Sequence, residues 1–322
     1  MRALVQSAFG PAADVLAVRT VDRPALSEGE VLVRVKAAGV GKGIWLITHG
    51  LPYIARPAYG FRTPKEPIAG LEFSGVVEAV SEGVTDLKRG DAVFGQGPGA
   101  FAEFVAVPAT ELARKPETVT HAQASIVPVS GLTALQAVRD AAGVTTGQRV
   151  LIVGASGAVG SFAVQVAKAH GAHVTGVASS RNLDRLRALG ADEVIDYTRE
   201  DITSRGTPFD VVIDIAGNRS VSSLRSVLTP TGSLVIVGGT GGRLTMGFGR
   251  TVGGMLTNPF VKHRIVGLLA NPNQKDLALL AEHMAAGKLH PAAQEPVPLD
   301  RAAEAIESVG RGKGFGVVVI AP

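Results

Sequence analysis

The stretch that most restricts this chain runs from Val150 to Gly160, where Val-Leu-Ile-Val is followed by Gly154, Ala155, Ser156, Gly157, Ala158, Val159 and Gly160. Four consecutive aliphatic residues read as a strand buried on both faces. Val159, Phe162, Ala163, Val166 and Ala167 then recur at helical spacing. A chain that passes from buried strand to helix this quickly needs small side chains at three places. They are the turn itself, Gly157 where backbone amides approach a ligand, and Gly160 where helix and strand pack closely. The helix N-terminus favours negative charge at the same spot. Ala155 replaces the first Gly of G-x-G-x-x-G, so the bare pattern is weak, and the strand and helix around it carry the reading of a pyrophosphate-binding turn.

The surrounding sequence repeats that alternation. HVTGVA (His173 to Ala178), DEVIDY (Asp192 to Tyr197), FDVVIDIAG (Phe209 to Gly217) and SLVIVGG (Ser233 to Gly239) are continuous Val/Ile-rich runs separated by helical stretches. They predict an α/β, doubly wound parallel sheet of the Rossmann type. Helices are expected from about Ala122 and from Ala134 to Ala142. Before Val119 the signals are β-like, with VLVRVKA (Val31 to Ala37) and EFSGVVEAV (Glu72 to Val80) bounded by Gly, Pro and Asp. Gly39 to Pro67 shows neither period and reads as a long binding loop; Gly238 to Gly254 reads as a mobile loop. The tail predicts helices at Lys275–Ala286 and Arg301–Val309 and a closing strand from Gly316 to Ala321.

Composition narrows the chemistry. The 322 residues are 46% hydrophobic and 19% charged, a folded chain with room for two domains. Zero Cys excludes a disulfide framework, thiolate metal sites and a cysteine nucleophile. A net charge of +4, with cations scattered, gives no basic stripe for nucleic acid. The first twenty residues hold no continuous apolar run and no uncharged stretch is long enough to span a bilayer. A cytoplasmic protein with no membrane partner is expected. His170 and His173 straddle a Gly and so do not share a helical face, and Trp45 and His49 read as packing in the long loop.

The strand after the glycine loop ends in Ser179, Ser180, Arg181 and Asn182. An NAD site would place Asp or Glu here for the ribose 2′-hydroxyl. Two hydroxyls and a guanidinium suit a 2′-phosphate instead, because Arg forms charge-assisted, bidentate bonds to phosphate oxygens. NADPH is therefore expected over NADH. Tyr197, ending the next strand, is a candidate cover for the adenine.

These residues resemble a family. AGLEFSGVVEAV (Ala69 to Val80), LKRGDAVFG (Leu87 to Gly95), GAFAEFVAVP (Gly99 to Pro108), VSGLTALQAV (Val129 to Val138), the Val150–Ala172 segment and LGADEVIDY (Leu189 to Tyr197) are together similar to the zinc-independent, quinone oxidoreductase-like branch of the medium-chain dehydrogenase/reductase superfamily. The resemblance implies a GroES-like, β-rich catalytic domain from residues 1–119 and 271–322, with a Rossmann NADP-binding domain from 120–270 between them. It implies Val129 beneath the nicotinamide ring, Thr133 against its ribose, and Ala155 to Val159 around the pyrophosphate. Gly217, Asn218, Gly238, Gly239 and Thr240 would line the nucleotide crevice, and Leu269 and Ala270 would meet the carboxamide. It also implies a homodimer.

The zinc-dependent relatives carry Gly-His-Glu where this chain reads Gly70-Leu71-Glu72, so no metal is expected. Without a Lewis acid, hydride from NADPH is expected to reach an electron-poor acceptor, a quinone or an α,β-unsaturated carbonyl. The branch usually carries Val-Asn and then Asp near its active site, whereas this chain reads Val40-Gly41-Lys42-Gly43-Ile44-Trp45. Tyr53 and Lys42 remain as candidates to orient the substrate oxygen. The Gly-Lys that precedes the last strand of many relatives reads Gly316-Val317 here. Two alternatives stay open: an NADPH-binding regulatory or interaction protein with weak chemistry, and an NADP-dependent alcohol or aldehyde reductase.

Overall fold

The computed structural model describes residues 1–206, 208–313 and 317–320. In chain order, a β-rich segment holds β1 (Arg2–Gln6), α1 (Ala12–Val15), β2 (Leu16–Thr20), β3 (Glu30–Val40), α2 (Lys42–Thr48), α3 (Arg56–Tyr59), β4 (Glu72–Val80), β5 (Ala92–Gln96), β6 (Phe104–Pro108) and β7 (Leu112–Arg114). After α4 (His121–Ser125) and α5 (Pro128–Gln136) come β8 (Arg149–Val153), α6 (Ala158–Ala169), β9 (His173–Ala178), α7 (Leu183–Ala188) and β10 (Glu193–Asp196). The alternation continues through β11 (Phe209–Asp214), α8 (Val221–Arg225), β12 (Leu228–Ile236), α9 (Phe248–Leu256) and β13 (Arg264–Gly267). The tail adds α10 (Gln274–Ala285), β14 (Val297–Pro298), α11 (Ala302–Gly310) and β15 (Val317–Ile320); Gly316 and Ala321 of the expected closing strand lie outside the described residues.

The chain forms two compact units, one of Met1–Leu132, Pro272–Gly287 and Pro291–Pro322, the other of Thr133–Asn271 with Lys288–His290. In the first, a sheet of order β14-β15-β3-β4-β5-β7, with β6 on β3, is largely antiparallel. Val33, Phe73, Val93, Phe101 and Leu112 fill its core. Residues 120–132 belong here, not with the dinucleotide-binding domain as expected, since α4 packs on β3 and β4. Thr120 starts α4 with a capping box, its hydroxyl accepting from Gln123 N while its own amide donates to Gln123 Oε1.

The second unit is a GroES-independent α/β layer: six parallel strands in the order β10-β9-β8-β11-β12-β13. Leu151, Ile195, Val212, Leu234 and Ile265 bury the sheet. Parallel strands share one carboxyl edge, so every loop that follows them emerges on that edge, where open sheets bind ligands.

Three expectations are corrected. Gly39–Pro67 is not an aperiodic loop but holds α2, a 3-10 turn at Tyr53–Ala55 and α3; helices of seven and four residues are too short to show a period. The helix expected from Ala134 begins at Pro128, a residue suited to a first helical turn, and gives way to a π-helical stretch at Ala137–Ala142. The glycines up to Gly254 do not form a mobile loop throughout, because Phe248–Leu256 is helical.

Candidate functional site

Along the carboxyl edge of the six-stranded sheet the chain gathers Ala155–Val159 after β8, Ser179–Arg181 after β9 and Tyr197 after β10. Gly217 and Asn218 follow β11, Gly238–Thr240 follow β12, and Leu269 and Ala270 follow β13. Of the predicted nucleotide contacts only Val129 and Thr133 lie elsewhere, both on α5.

The glycine loop has the geometry its residues demand. Gly154 turns at φ 86°, a left-handed conformation costly for other residues. A Cβ on Gly160 would sit 2.2 Å from Gly154 O and 2.7 Å from Ala155 Cα, so helix and strand touch there. At Gly157, by contrast, a Cβ would meet only Gly154 O at 3.5 Å. Gly157 caps α6, and the open side beside it fits a phosphate on the helix N-terminus. Asn182 Nδ2 donates to Ser156 Oγ at 3.3 Å, tying this loop to the end of β9.

At the end of β9 the sequence reading needs amendment. Parallel pairing sets Asp196 opposite Ala178, which brings a carboxylate beside Ser180 although none lies near it in sequence. Asp196 is already engaged. It accepts from Ser180 Oγ, from Thr198 N at 3.0 Å and from Thr198 Oγ1 at 2.7 Å, with Arg199 Nε at 3.6 Å. The Ser180 and Thr198 bonds hold its carboxyl below the usual range. Ser180 therefore gives its proton to Asp196 and has none for a phosphate. Ser179 keeps its hydroxyl proton, since its oxygen only accepts from Asn182. Arg181 is exposed and forms no ion pair or hydrogen bond among the described residues. Tyr197 is 55% exposed, its amide tied to Ala178 O.

The glycines after β11 and β12 are also needed by the protein's own packing. Cβ atoms would collide with backbone at Gly217 (2.6 Å to Gly239 Cα), Gly238 (1.9 Å to Ile215 O) and Gly239 (2.1 Å to Met246 O). Main chain packs on main chain here, and the lack of side chains is structural. Asp214, with 0% exposure, holds the bundle: it accepts Gly217 N at 3.0 Å and Arg250 Nη2 at 2.5 Å. Arg250 also donates to Arg219 O at 2.7 Å. Thr240 Oγ1 closes the loop on Gly217 O at 2.9 Å. Sequence reading missed this ion pair, because 36 residues separate its partners. The Leu269–Ala270 segment is held by Gln136 and Asn271, which exchange bonds of 2.7 and 2.9 Å, while the Leu269 side chain is 93% exposed.

In the first unit the two substrate candidates differ. Lys42 Nζ donates to Gly310 O at 2.7 Å and lies 4.3 Å over the Trp45 ring. It caps the end of α11, as a cation at a helix C-terminus does. Tyr53 is 38% exposed under the Arg56 guanidinium, and its hydroxyl has no partner among the described residues. Trp45 and His49 stack at 4.4 Å and both reach Glu307, the packing role expected of them.

Glu72 is the functional-looking group that sequence reading passed over. Its carboxyl is fully buried, Oε2 accepts Val129 N at 2.9 Å, and Oε1 occupies the space where a Cβ on Gly39 would be, 2.8 Å away. Burial pushes it up to about 7, against a smaller opposing effect of the Val129 bond. The preceding Leu71 packs against the apolar core, so Gly70-Leu71-Glu72 offers no imidazole. Among the described residues no three His, Cys, Asp or Glu side chains come together as a group that could hold a metal ion. Among those residues no helix is long and apolar enough to cross a membrane.

Residues 27–117 match the alcohol dehydrogenase GroES-like domain, and residues 189–320 match the zinc-binding dehydrogenase family. A chloroplast envelope quinone oxidoreductase homolog of Arabidopsis thaliana is 30% identical over 100% of this chain and 98% of its own length. A mitochondrial NAD(P)H oxidoreductase of Bos taurus is 35% identical over 78% of this chain and 69% of its own. The structure of the quinone oxidoreductase from Coxiella burnetii superposes with a TM-score of 0.87 at 29% identity, covering 100% of this chain and 99% of that one. Domain matches, the full-length relative and the superposed structure agree with the two-unit fold described above, and the chain belongs to the quinone oxidoreductase-like medium-chain dehydrogenase/reductases.

Proposed function

We propose that this chain is an NADPH-dependent, metal-free reductase that passes hydride to a quinone or an α,β-unsaturated carbonyl. The observation that carries the cofactor choice is the pair Arg181 and Asp196. The guanidinium at the end of β9 is unpaired among the described residues, while the neighbouring carboxylate already accepts three hydrogen bonds from Ser180 and Thr198. A 2′-phosphate gains a charge-assisted partner there, and a 2′-hydroxyl would compete with those bonds for the carboxylate.

Bound nicotinamide supplies the hydride and the protein supplies place. Amides beside Gly157 and the α6 N-terminus hold the pyrophosphate, and Ser179 and Arg181 hold the adenosine phosphate. With Leu71 packed on the apolar core and no group of three His, Cys, Asp or Glu side chains among the described residues, an acceptor that is already electrophilic is favoured, enones and quinones over alcohols. The Tyr53 hydroxyl is the side-chain group left to donate a proton, with water as the other source. The test is oxidation of NADPH and NADH against a panel of quinones, enones, aldehydes and alcohols. Turnover of NADPH with enones or quinones supports the reading; tight NADPH binding with no turnover on any acceptor would replace it with a regulatory nucleotide-binding protein.

The same reading includes a homodimer. β13 is the outer strand of the parallel sheet, and Phe260 beside it is 87% exposed. A second copy packing there would cover Phe260 and the part of the β13 edge that Asn258 does not already cap through Ile265 N and O. Light scattering on the wild type and on Phe260→Asp checks it, with twice the chain mass expected only for the wild type.

A further inference from the structure

The second unit contains a cavity of about 600 Å³, most of whose lining lies outside the residues proposed to hold the nucleotide. Its walls are the turn after β11, helix α8 and one side of α9, and three arginines line it: Arg219, Arg225 and Arg250. No carboxylate lines it. Asp214 lies wholly buried against Arg250, and Asp201 pairs with Arg219 without reaching the lining. Arg225 is half-buried, and its Nε donates to His263 Nδ1 at 3.3 Å. The sequence extends this bias: from Ile215 to Lys275 there are seven Lys and Arg and no Asp or Glu.

Such a cavity presents polar and apolar wall together, and with Arg250 held by Asp214 and Arg219 by Asp201, Arg225 is its cation without a carboxylate partner among the described residues. The cavity suits an anion held by guanidinium forks with hydroxyl help from Ser222. It also shares Gly217, Asn218 and Thr240 with the crevice proposed for the nucleotide. We propose that the cavity binds a phosphate or carboxylate carried by the acceptor, so that the substrates of this enzyme are quinones or enones bearing an anionic group. The assignment rests on the reductase reading above; the anion site itself does not.

The test uses the full chain and inorganic phosphate as probe, with ionic strength held constant by sodium chloride. Phosphate is expected to raise the melting temperature of the wild type saturably. In Arg225→Gln the half-effect should move to about tenfold higher phosphate or beyond, as expected for a lost charge-assisted pair. Ser222→Glu, an exposed position on α8, should do the same by placing a carboxylate at the rim, and it serves if Arg225→Gln fails to fold. NADPH affinity should stay within about twofold in both variants. Phosphate should raise KM for a carboxylated enone and leave a neutral enone unaffected. Equal phosphate responses in wild type and variants would overturn the site, as would a parallel loss of NADPH affinity. A phosphate effect on kcat with neutral enones would overturn the acceptor assignment in favour of free phosphate. Failure of the wild type to bind NADPH would sink the reductase reading, and with it the acceptor assignment, while the Arg225-dependent phosphate response would be read separately.

Discussion

Two glycine clusters sit on one edge of the same sheet and answer to different physics. In the first, Gly154 to Gly160, one glycine is closed and one is open: a Cβ at Gly160 strikes backbone at 2.2 Å, while at Gly157 its nearest neighbour is 3.5 Å away. In the second, Gly217, Gly238 and Gly239 are all closed by the protein's own main chain. An open glycine leaves room for a ligand; a closed one lets the chain pack on itself. The lesson is that a glycine-rich stretch next to a ligand site is informative only position by position, from what a side chain would displace.

The comparison can be broken most forcefully through Arg250. Arg250→Met leaves Asp214 buried and unpaired, and urea unfolding should show a loss of about 3–5 kcal/mol. A loss below about 1 kcal/mol would mean that the ion pair does not hold the second cluster. Gly238→Ala forces a methyl onto Ile215 O and is expected to cost about 3 kcal/mol. Gly157→Ala should change stability by no more than about 0.5 kcal/mol, since its φ of −74° suits any residue. The same change should weaken NADPH about tenfold by filling the approach to the amides. If Gly157→Ala and Gly238→Ala behaved alike, the distinction between open and closed glycines would fail.

The first unit sharpens the contrast with a titration. Glu72 keeps its proton up to about pH 7 in the folded chain, against an ordinary value of 4.5. The folded state thus binds more protons between those values, and stability falls as pH rises from about 4.5 to 7. The total is on the order of 3 kcal/mol. Glu72→Gln, which keeps the acceptor for Val129 N and removes the titration, should flatten that part of the profile. A slope unchanged in Glu72→Gln would assign it to other groups.

How far the sequence carried the reading follows the same division. The strand, turn and helix from Val150 to Ala169 were legible because their constraints are local: a buried run, small residues at the turn, and helical spacing after it. The strand ends that carry Ser179, Gly217 and Gly238 were legible because parallel order puts them all on one edge. Asp196 beside Ser180, and Arg250 on Asp214, were not, since each is created by pairing of segments distant in sequence. Lys42 read as a free cation for the same reason, because Gly310 lies 268 residues away. Glu72 was hidden by its setting. A glutamate in a strand says nothing of its burial, and it is burial, against the opposing bond from Val129 N, that raises its affinity for a proton.

The central claim is that the cation at the end of β9 selects the phosphorylated cofactor. The most direct measurement is the dissociation constant of NADPH and of NADH, by quenching of nicotinamide fluorescence, for the wild type and Arg181→Ala. The account predicts NADPH bound at least about tenfold more tightly than NADH by the wild type, as one charge-assisted pair would give, with the gap closed in Arg181→Ala. Equal affinities in the wild type, or a preference for NADPH that survives loss of Arg181, would contradict it.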